Sequence, residues 1–506
     1  NPMSDDSRQA SSAFDMEALT NTLRGWYHVP ALVLAVVTMF AIRIQSWNRF
    51  LRESGVYFSG NDPWYHFRQV QYAVENGLAT MPYDVWTGFA AGADSGQFGT
   101  LFDQLIAAAA LIVGLGDPSS QQIAAVTAFA PAVFGALVAI PTFFIARRFG
   151  GNGVGVVSAF VLALLPGLFL QRGTVGSADH NVAEPLFMSL AVLGFLVAFA
   201  VADRERPVWE QLFDRDLKGL RSVLGWSVLA GVALAAYMYL WPPGVFLVGI
   251  IGIFLLVSLS SDVVSGTSPD HTAVPATIAM VTAGVLMLVP LRYMDFSATG
   301  YTLLQVIAPF VVAAGAVFLS WLGREWEERD IEPTYYPPAI LGTLVVATGL
   351  GLVVVPQLVD MILSNLLGIV GLTTSSGAAT ISEAQPFLLS RQNQLGLGTW
   401  RAFFFEYGAA FYIALAGGLW MLLKGHLTSR DNRRLALGAG IPILAVLLIQ
   451  IPAIPGAIGG IVGLGWDVTG LLILALAVAA ALVAGEDLTE ETLLIVWTVF
   501  MLAAAL

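Results

Sequence analysis

Three short polar stretches interrupt an otherwise apolar chain, and each carries a carboxylate: "GNDPWYHFR" around Asp62, "SADHNVAE" around Asp179, and "TISE" ending on Glu383. Carboxylate oxygens are hard ligands. Three of them from separate segments can hold one divalent cation, Mg²⁺ or Mn²⁺, and leave coordination positions for substrate or water. Asp179 and Asn181 can both offer oxygens, and His180 a nitrogen if its ring turns inward. Any one of these acids alone reads as an ordinary solvated loop residue. The five histidines are scattered along the sequence, a distribution that argues against zinc. There is no HExxH, no Walker loop, no nucleophile elbow and no cysteine, so the chemistries those motifs support have no foothold here, and disulfides and thiolate metal sites are excluded.

The elements that must position these stretches are membrane helices. Of 506 residues 57% are hydrophobic and only 11% charged, less than half the charged share of soluble domains, which is about a quarter. Apolar runs of spanning length predict helices near 30–46, 122–146, 152–170, 185–203, 223–241, 244–259, 273–291, 301–322, 337–357, 402–423, 434–452, 467–484 and 491–506. The expectation is an all-α polytopic membrane protein with about thirteen spans. The run at 101–116 is interrupted by Asp103 and Gln104 and barely reaches across the bilayer, so it reads as interfacial. Keeping it out of the span count also leaves most arginines on the cytoplasmic side, as the positive-inside bias requires. Residues 1–29 then form a cytoplasmic tail with no signal peptide, ahead of a transmembrane catalytic domain at 30–506. Outer loops are expected at 47–121, 171–184 and 358–401, which puts Asp62, Asp179 and Glu383 on one face of the membrane.

Net charge is -12, and Lys218 and Lys424 are the only lysines among 23 basic residues. Dense counterions screen such self-repulsion, so the composition suits a very salty habitat. No basic stripe exists for nucleic acid. The aromatic residues Trp64, Tyr65, Trp86 and Trp241 read as interfacial anchors.

Taken together, "GNDPWYHFR", "QRGTVGSADHN" and "TISE", with "EAQPF" and "FFFEYG" at 403–408, resemble the motif set of the oligosaccharyltransferase catalytic subunit in its archaeal single-subunit form. Order, spacing and expected sidedness all match across the chain. The resemblance implies a glycosyltransferase of the GT-C type that moves a glycan from dolichyl phosphate or diphosphate to the asparagine of Asn-X-Ser/Thr, with inversion and with a divalent cation. It implies a cell-membrane enzyme, expected as a monomer, whose active site is extracellular. Its partners are then lipid-linked oligosaccharide, acceptor polypeptide and membrane lipid. Asp62 and Glu383 take the catalytic and metal-binding positions, Asp179 is a metal ligand, and Asn181 stands where relatives carry Asp, Glu or His, making it a weaker ligand. Arg172, His180 and Arg391 are candidates for substrate binding. The family's WWDYG motif and its arginine in a late span have no counterpart, so the chain is expected to stop before the family's C-terminal soluble domain. Read from the residues without the resemblance, two alternatives stay open. One is another polyprenyl-phosphate-sugar transferase, of protein O-mannosyltransferase type. The other is a transporter or flippase, although transporters place their polar groups near the bilayer midplane.

Overall fold

The computed structural model describes residues 25–205, 207–216, 218–357, 359, 396, 401 and 404–409. Most of the last four predicted spans, together with Glu383 and Arg391, lies outside the described residues. Within them the chain is almost wholly helical. Helices α1 (His28–Ile44) and α2 (Trp47–Phe50) lead into a two-residue hairpin, β1 (Leu51–Arg52) with β2 (Gly55–Val56). Helix α3 (Asp62–Glu75) follows, then a second hairpin, β3 (Tyr83–Asp84) with β4 (Ala93–Asp94), and α4 (Leu101–Val113). After these come α5 (Ser120–Leu137), α6 (Ala139–Ala163), α7 (Leu168–Arg172), α8 (Glu184–Arg204), α9 (Val208–Phe213), α10 (Arg221–Leu240), α11 (Val245–Val264), α12 (Asp270–Leu286), α13 (Leu303–Glu328) and α14 (Tyr336–Val354).

Seven helical segments among the described residues are long and apolar enough to cross a membrane. One of them, Ser120–Ala163, is 44 residues long and bends out of helical geometry at Gly151, whose φ is 74°. A left-handed backbone is cheap only for glycine, so the division expected between 146 and 152 falls where the sequence can turn. The expected span at 152–170 ends early, at Ala163. Pro166 and Gly167 then make a turn into α7, because Gly167 adopts φ 79° and proline cannot continue the hydrogen-bond ladder. With 13 residues, or about 20 Å, α4 falls short of the ~30 Å hydrocarbon core, consistent with the interfacial reading of that run. Exposed apolar faces such as Val33, Leu34 and Val37 on α1 and Val345, Val346 and Leu350 on α14 suit lipid rather than water.

A large apolar core joins α8, α10, α11, α12 and α13. A smaller one lies beneath the polar loops and positions the site. Its buried members include Val70 and Ala73 of α3, Phe102, Ile106 and Ala110 of α4, Ile123 of α5, and Val182. Both α3 and α4 are amphipathic. Residues Tyr65, His66, Gln69, Val70 and Ala73 are buried on one, and Phe102, Asp103, Ile106, Ala107 and Ala110 on the other, at helical spacing. Burying those two stripes together brings the His66 imidazole and the Asp103 carboxylate face to face. Phe102 is 1% exposed and packs edge-on against His66, with ring centroids 5.1 Å apart. Phe102→Ala is expected to cost about 3–5 kcal/mol, a large aromatic cavity, read as a lower thermal midpoint in detergent.

Candidate metal centre

Asp62 opens α3. Pro63 presets φ for the first turn, and the Asp62 carboxylate complements the positive end of the helix dipole. His66 sits one turn further on, on the same face, which puts its Cβ about 6 Å from that of Asp62. Asp62 itself is exposed, whereas His66 is buried.

The second polar stretch reaches this helix through backbone contacts. The Ser59 N–H donates to the Gly176 carbonyl at 2.8 Å, and the Gly176 N–H donates to Ala128 of α5 at 2.9 Å. Gly176 holds φ 88° against the Phe50 ring, a position where a Cβ would collide. Gly173 likewise packs against the buried Arg43 side chain, with its would-be Cβ 2.7 Å from Nε. The Val175 N–H also donates to the Arg43 carbonyl at 3.2 Å. From the Ser59–Gly176 bond each strand runs three residues onward, to Asp62 on one side and to Asp179 on the other.

Asp179 is extended and caps a one-turn 3₁₀ helix, His180–Val182, by accepting from the Asn181 N–H at 3.4 Å. Its Oδ1 lies 2.9 Å from His180 Nδ1 and 3.6 Å from His66 Nε2, and the two imidazole nitrogens are 3.3 Å apart. Asp179, His66 and His180 therefore form the one group of ionisable side chains among the described residues with metal-ligand spacing, all three donor atoms lying within 4.8 Å of one another. Outer carboxylates back both rings. His66 Nδ1 pairs with Asp103 Oδ1 at 2.8 Å, and His180 Nε2 lies 3.5 Å from Glu184 Oε1.

The electrostatics follow from burial and these neighbours. Burial alone would lower the His66 pKa, but the adjoining Asp103 and Asp179 carboxylates outweigh it and raise it to about 10. Asp103 is pushed up by burial, which its contact with His66 only partly offsets. Asp179 is also desolvated, yet hydrogen bonds from His180 and His66 and the nearby imidazole charge hold it well below the usual carboxylate range. With neutral imidazoles the cluster carries three formal negative charges from Asp103, Asp179 and Glu184, a setting that attracts a cation.

The residues expected from sequence have separate fates. Asp179 and His180 enter the cluster, His180 as a donor beside Asp179. Asn181 turns its amide toward Asp179, donating from Nδ2 to Oδ2 at 2.5 Å, and so orients that carboxylate. Arg172 ends α7, half-buried, at the start of the same loop. The expectation that scattered histidines disfavour zinc is corrected here: the two rings meet across 114 residues, and local spacing motifs cannot report ligands brought together by folding. Sequence reasoning gave no role to His66, Asp103 or Glu184. The signals were an imidazole at i+4 from Asp62, an acid inside the apolar run of α4, and an acid at i+4 from His180.

A helical membrane fold with a carboxylate–imidazole cluster at the junction of two polar loops defines the class of this molecule. Residues 31–391 match the family model described as "Oligosaccharyl transferase STT3, N-terminal", and the chain belongs to that family. It is 44% identical over 492 residues to the dolichyl-monophosphooligosaccharide–protein glycotransferase AglB of Haloferax volcanii, covering 96% of this chain and 46% of that protein. It thus spans about half the length of the curated relatives it matches. Its fold is that of the Archaeoglobus fulgidus oligosaccharyltransferase AglB in complex with an inhibitory peptide and a dolichol-phosphate (TM-score 0.68, 21% identity, 92% of this chain and 56% of that one). A structure of the Archaeoglobus fulgidus oligosaccharyltransferase in complex with Zn and sulfate aligns at TM-score 0.60 and 20% identity, over 94% of this chain and 52% of that one. The matching family model is that of an oligosaccharyl transferase, not of a transporter or a protein O-mannosyltransferase.

Proposed function

We propose that this chain carries the membrane-embedded catalytic site of a divalent-metal-dependent oligosaccharyltransferase. It moves a glycan from dolichyl phosphate or diphosphate to the side-chain nitrogen of Asn in Asn-X-Ser/Thr. The observation that carries this reading is the cluster of His66, Asp179 and His180 at the junction of the two motif-bearing loops. The relatives' names support it, one as a dolichyl-monophosphooligosaccharide transferase and another bound to dolichol-phosphate. In this reading the fold is of the GT-C type with about thirteen spans, the loops at 47–121, 171–184 and 358–401 face the cell exterior, and the protein works as a monomer.

The donor set decides which ion fits. Two imidazole nitrogens and one carboxylate oxygen suit a transition ion such as Mn²⁺ or Zn²⁺ better than Mg²⁺, which demands an oxygen octahedron. Bound there, a divalent cation supplies Lewis acidity that draws charge from the carrier phosphate as it leaves. His66 Nε2, Asp179 Oδ1 and His180 Nδ1 would hold it, and Asp62 and Glu383 would add oxygens. Asn181 holds Asp179 in orientation rather than coordinating. Asp62 and Glu383 also accept hydrogen bonds from the acceptor amide and turn it out of conjugation. A peptide rotation barrier of ~18–20 kcal/mol indicates how strongly such a lone pair is delocalised. The freed nitrogen attacks the anomeric carbon opposite the phosphate. As the C–N bond forms and the C–O bond breaks, the amide passes one proton to a carboxylate, and the configuration inverts. Arg172 and Arg391 pair with the carrier phosphate, a contact that guanidinium geometry favours.

The test supplies lipid-linked oligosaccharide and an Asn-X-Thr peptide to the purified chain, alone and joined to the C-terminal half of the Haloferax relative. Glycopeptide formed with Mn²⁺ and lost on chelation is the expected result, with weaker rescue by Mg²⁺. Asp62→Ala and Glu383→Ala are each expected to lower turnover by about a hundredfold or more, the scale of losing one preorganised electrostatic contact to the reacting centre. Full turnover in both variants would sink the assigned roles.

A further inference from the structure

We propose that Asp103 is the positioning residue of this centre: its carboxylate fixes the His66 ring so that Nε2, and not Nδ1, faces the metal. The inference rests on the metal reading above and deepens it. Asp103 is 4% exposed and lies on the buried face of α4, among Phe102, Ile106 and Ala107. A carboxylate there is costly unless a partner compensates it. Its partner is His66 Nδ1 at 2.8 Å, from a helix that begins 39 residues earlier in the chain. The other ring nitrogen of the same imidazole points the opposite way, toward Asp179 and His180.

The ring is thus held at both ends, with one nitrogen committed to a buried acceptor and the other directed into the cluster. A carboxylate accepting from Nδ1–H selects the tautomer whose Nε2 lone pair is free to bind a cation, and it raises the basicity of that nitrogen. The Phe102 ring also packs edge-on against the imidazole, with centroids 5.1 Å apart. At the second ring Glu184 Oε1 stands 3.5 Å from His180 Nε2, an ionic contact without a hydrogen bond, while Nδ1 faces Asp179. Two histidines from distant segments, each backed by an acid on its far side, make a pattern that helix packing alone does not require. Apolar residues would fill the Asp103 position at lower cost.

The experiment measures Co²⁺ binding by the metal-stripped 506-residue chain in detergent, using calorimetry for affinity and the visible spectrum for ligand geometry. Asp103→Asn keeps the shape and removes the charge. It is expected to weaken Co²⁺ binding by about 10–100-fold, the usual effect of losing such an outer partner, and to alter the spectrum. In a His66→Gln background the same substitution is expected to have almost no further effect, because its action runs through the ring. A merely structural role for Asp103 predicts a lower thermal midpoint with unchanged affinity and spectrum in the folded protein; that result, or additive losses in the double variant, overturns the proposal. Should Asp103→Asn not fold, Asp103→Glu retains the charge and displaces it by one methylene. A smaller loss in the same direction is then expected, and unchanged binding overturns the idea. A wild-type chain that takes up no Co²⁺ overturns the metal reading and this inference together, an outcome distinct from a variant that binds as well as wild type.

Discussion

Asp179→Ala is expected to weaken metal binding by roughly a thousandfold or more, since unit charges 4 Å apart interact by about 4 kcal/mol at an effective dielectric of about 20. The same variant is expected to lose glycan transfer. Asp179 is the only acid in the cluster that lies near both inner imidazole nitrogens, at 2.9 Å from His180 Nδ1 and 3.6 Å from His66 Nε2. Without it the two imidazole nitrogens, 3.3 Å apart, lose the carboxylate that faces both of them, and a cation loses one negative ligand. Local folding is also affected, because the Asp179 side chain caps the 3₁₀ turn that carries His180. Asp179→Asn separates the two effects: it retains a capping oxygen and loses the charge. Calorimetric titration with Mn²⁺ on both variants makes the comparison. Alanine and asparagine variants that bind Mn²⁺ like the wild type would remove Asp179 from the metal centre.

Metal affinity is expected to rise steeply with pH, about tenfold per unit up to a pH near 10, because one proton must leave His66 for each ion bound. The His66 pKa of about 10 belongs to the metal-free protein, where Asp103 and Asp179 stabilise the imidazolium. Titrations in buffers of different ionisation heat count the protons released: one is expected for the wild type and none from this position in His66→Gln. A wild type that binds metal with no proton release near neutral pH would contradict it. The same shifts set the stability of the metal-free chain. His66 has a folded pKa above its ordinary value, so its contribution is fully present below about 6.5 and is lost as pH rises through about 10. Asp103, also raised, acts in the same direction. Asp179, depressed, contributes stability above the ordinary carboxylate range that is lost as pH falls through its lowered pKa. Thermal midpoints of the metal-free protein should therefore decline at both extremes, and the alkaline decline should shrink in His66→Gln.

Composition and apolar run length alone determined that this is a helical membrane protein, because bilayer thickness imposes a length on every span. They also placed the break near Gly151 and the short reach of α4, since a glycine run and two polar residues mark those points in the chain itself. Asp62 and Asp179 were legible as acids in polar loops between spans. What the sequence could not reveal is the company Asp179 keeps. The contacts of His66 with Asp103 and His180 join residues 37 and 114 positions apart, from two helices and a loop. Helical periodicity reports which face of α3 or α4 is buried, but not which other helix covers it. That pairing is settled only when the apolar stripes of α3, α4 and α5 close on one another and the Ser59–Gly176 bond ties the two loops together. Tertiary structure alone thus converted scattered histidines and an acid misplaced in an apolar helix into one cation-seeking cluster, because the cost of burying each polar group is met largely by its neighbours in the cluster.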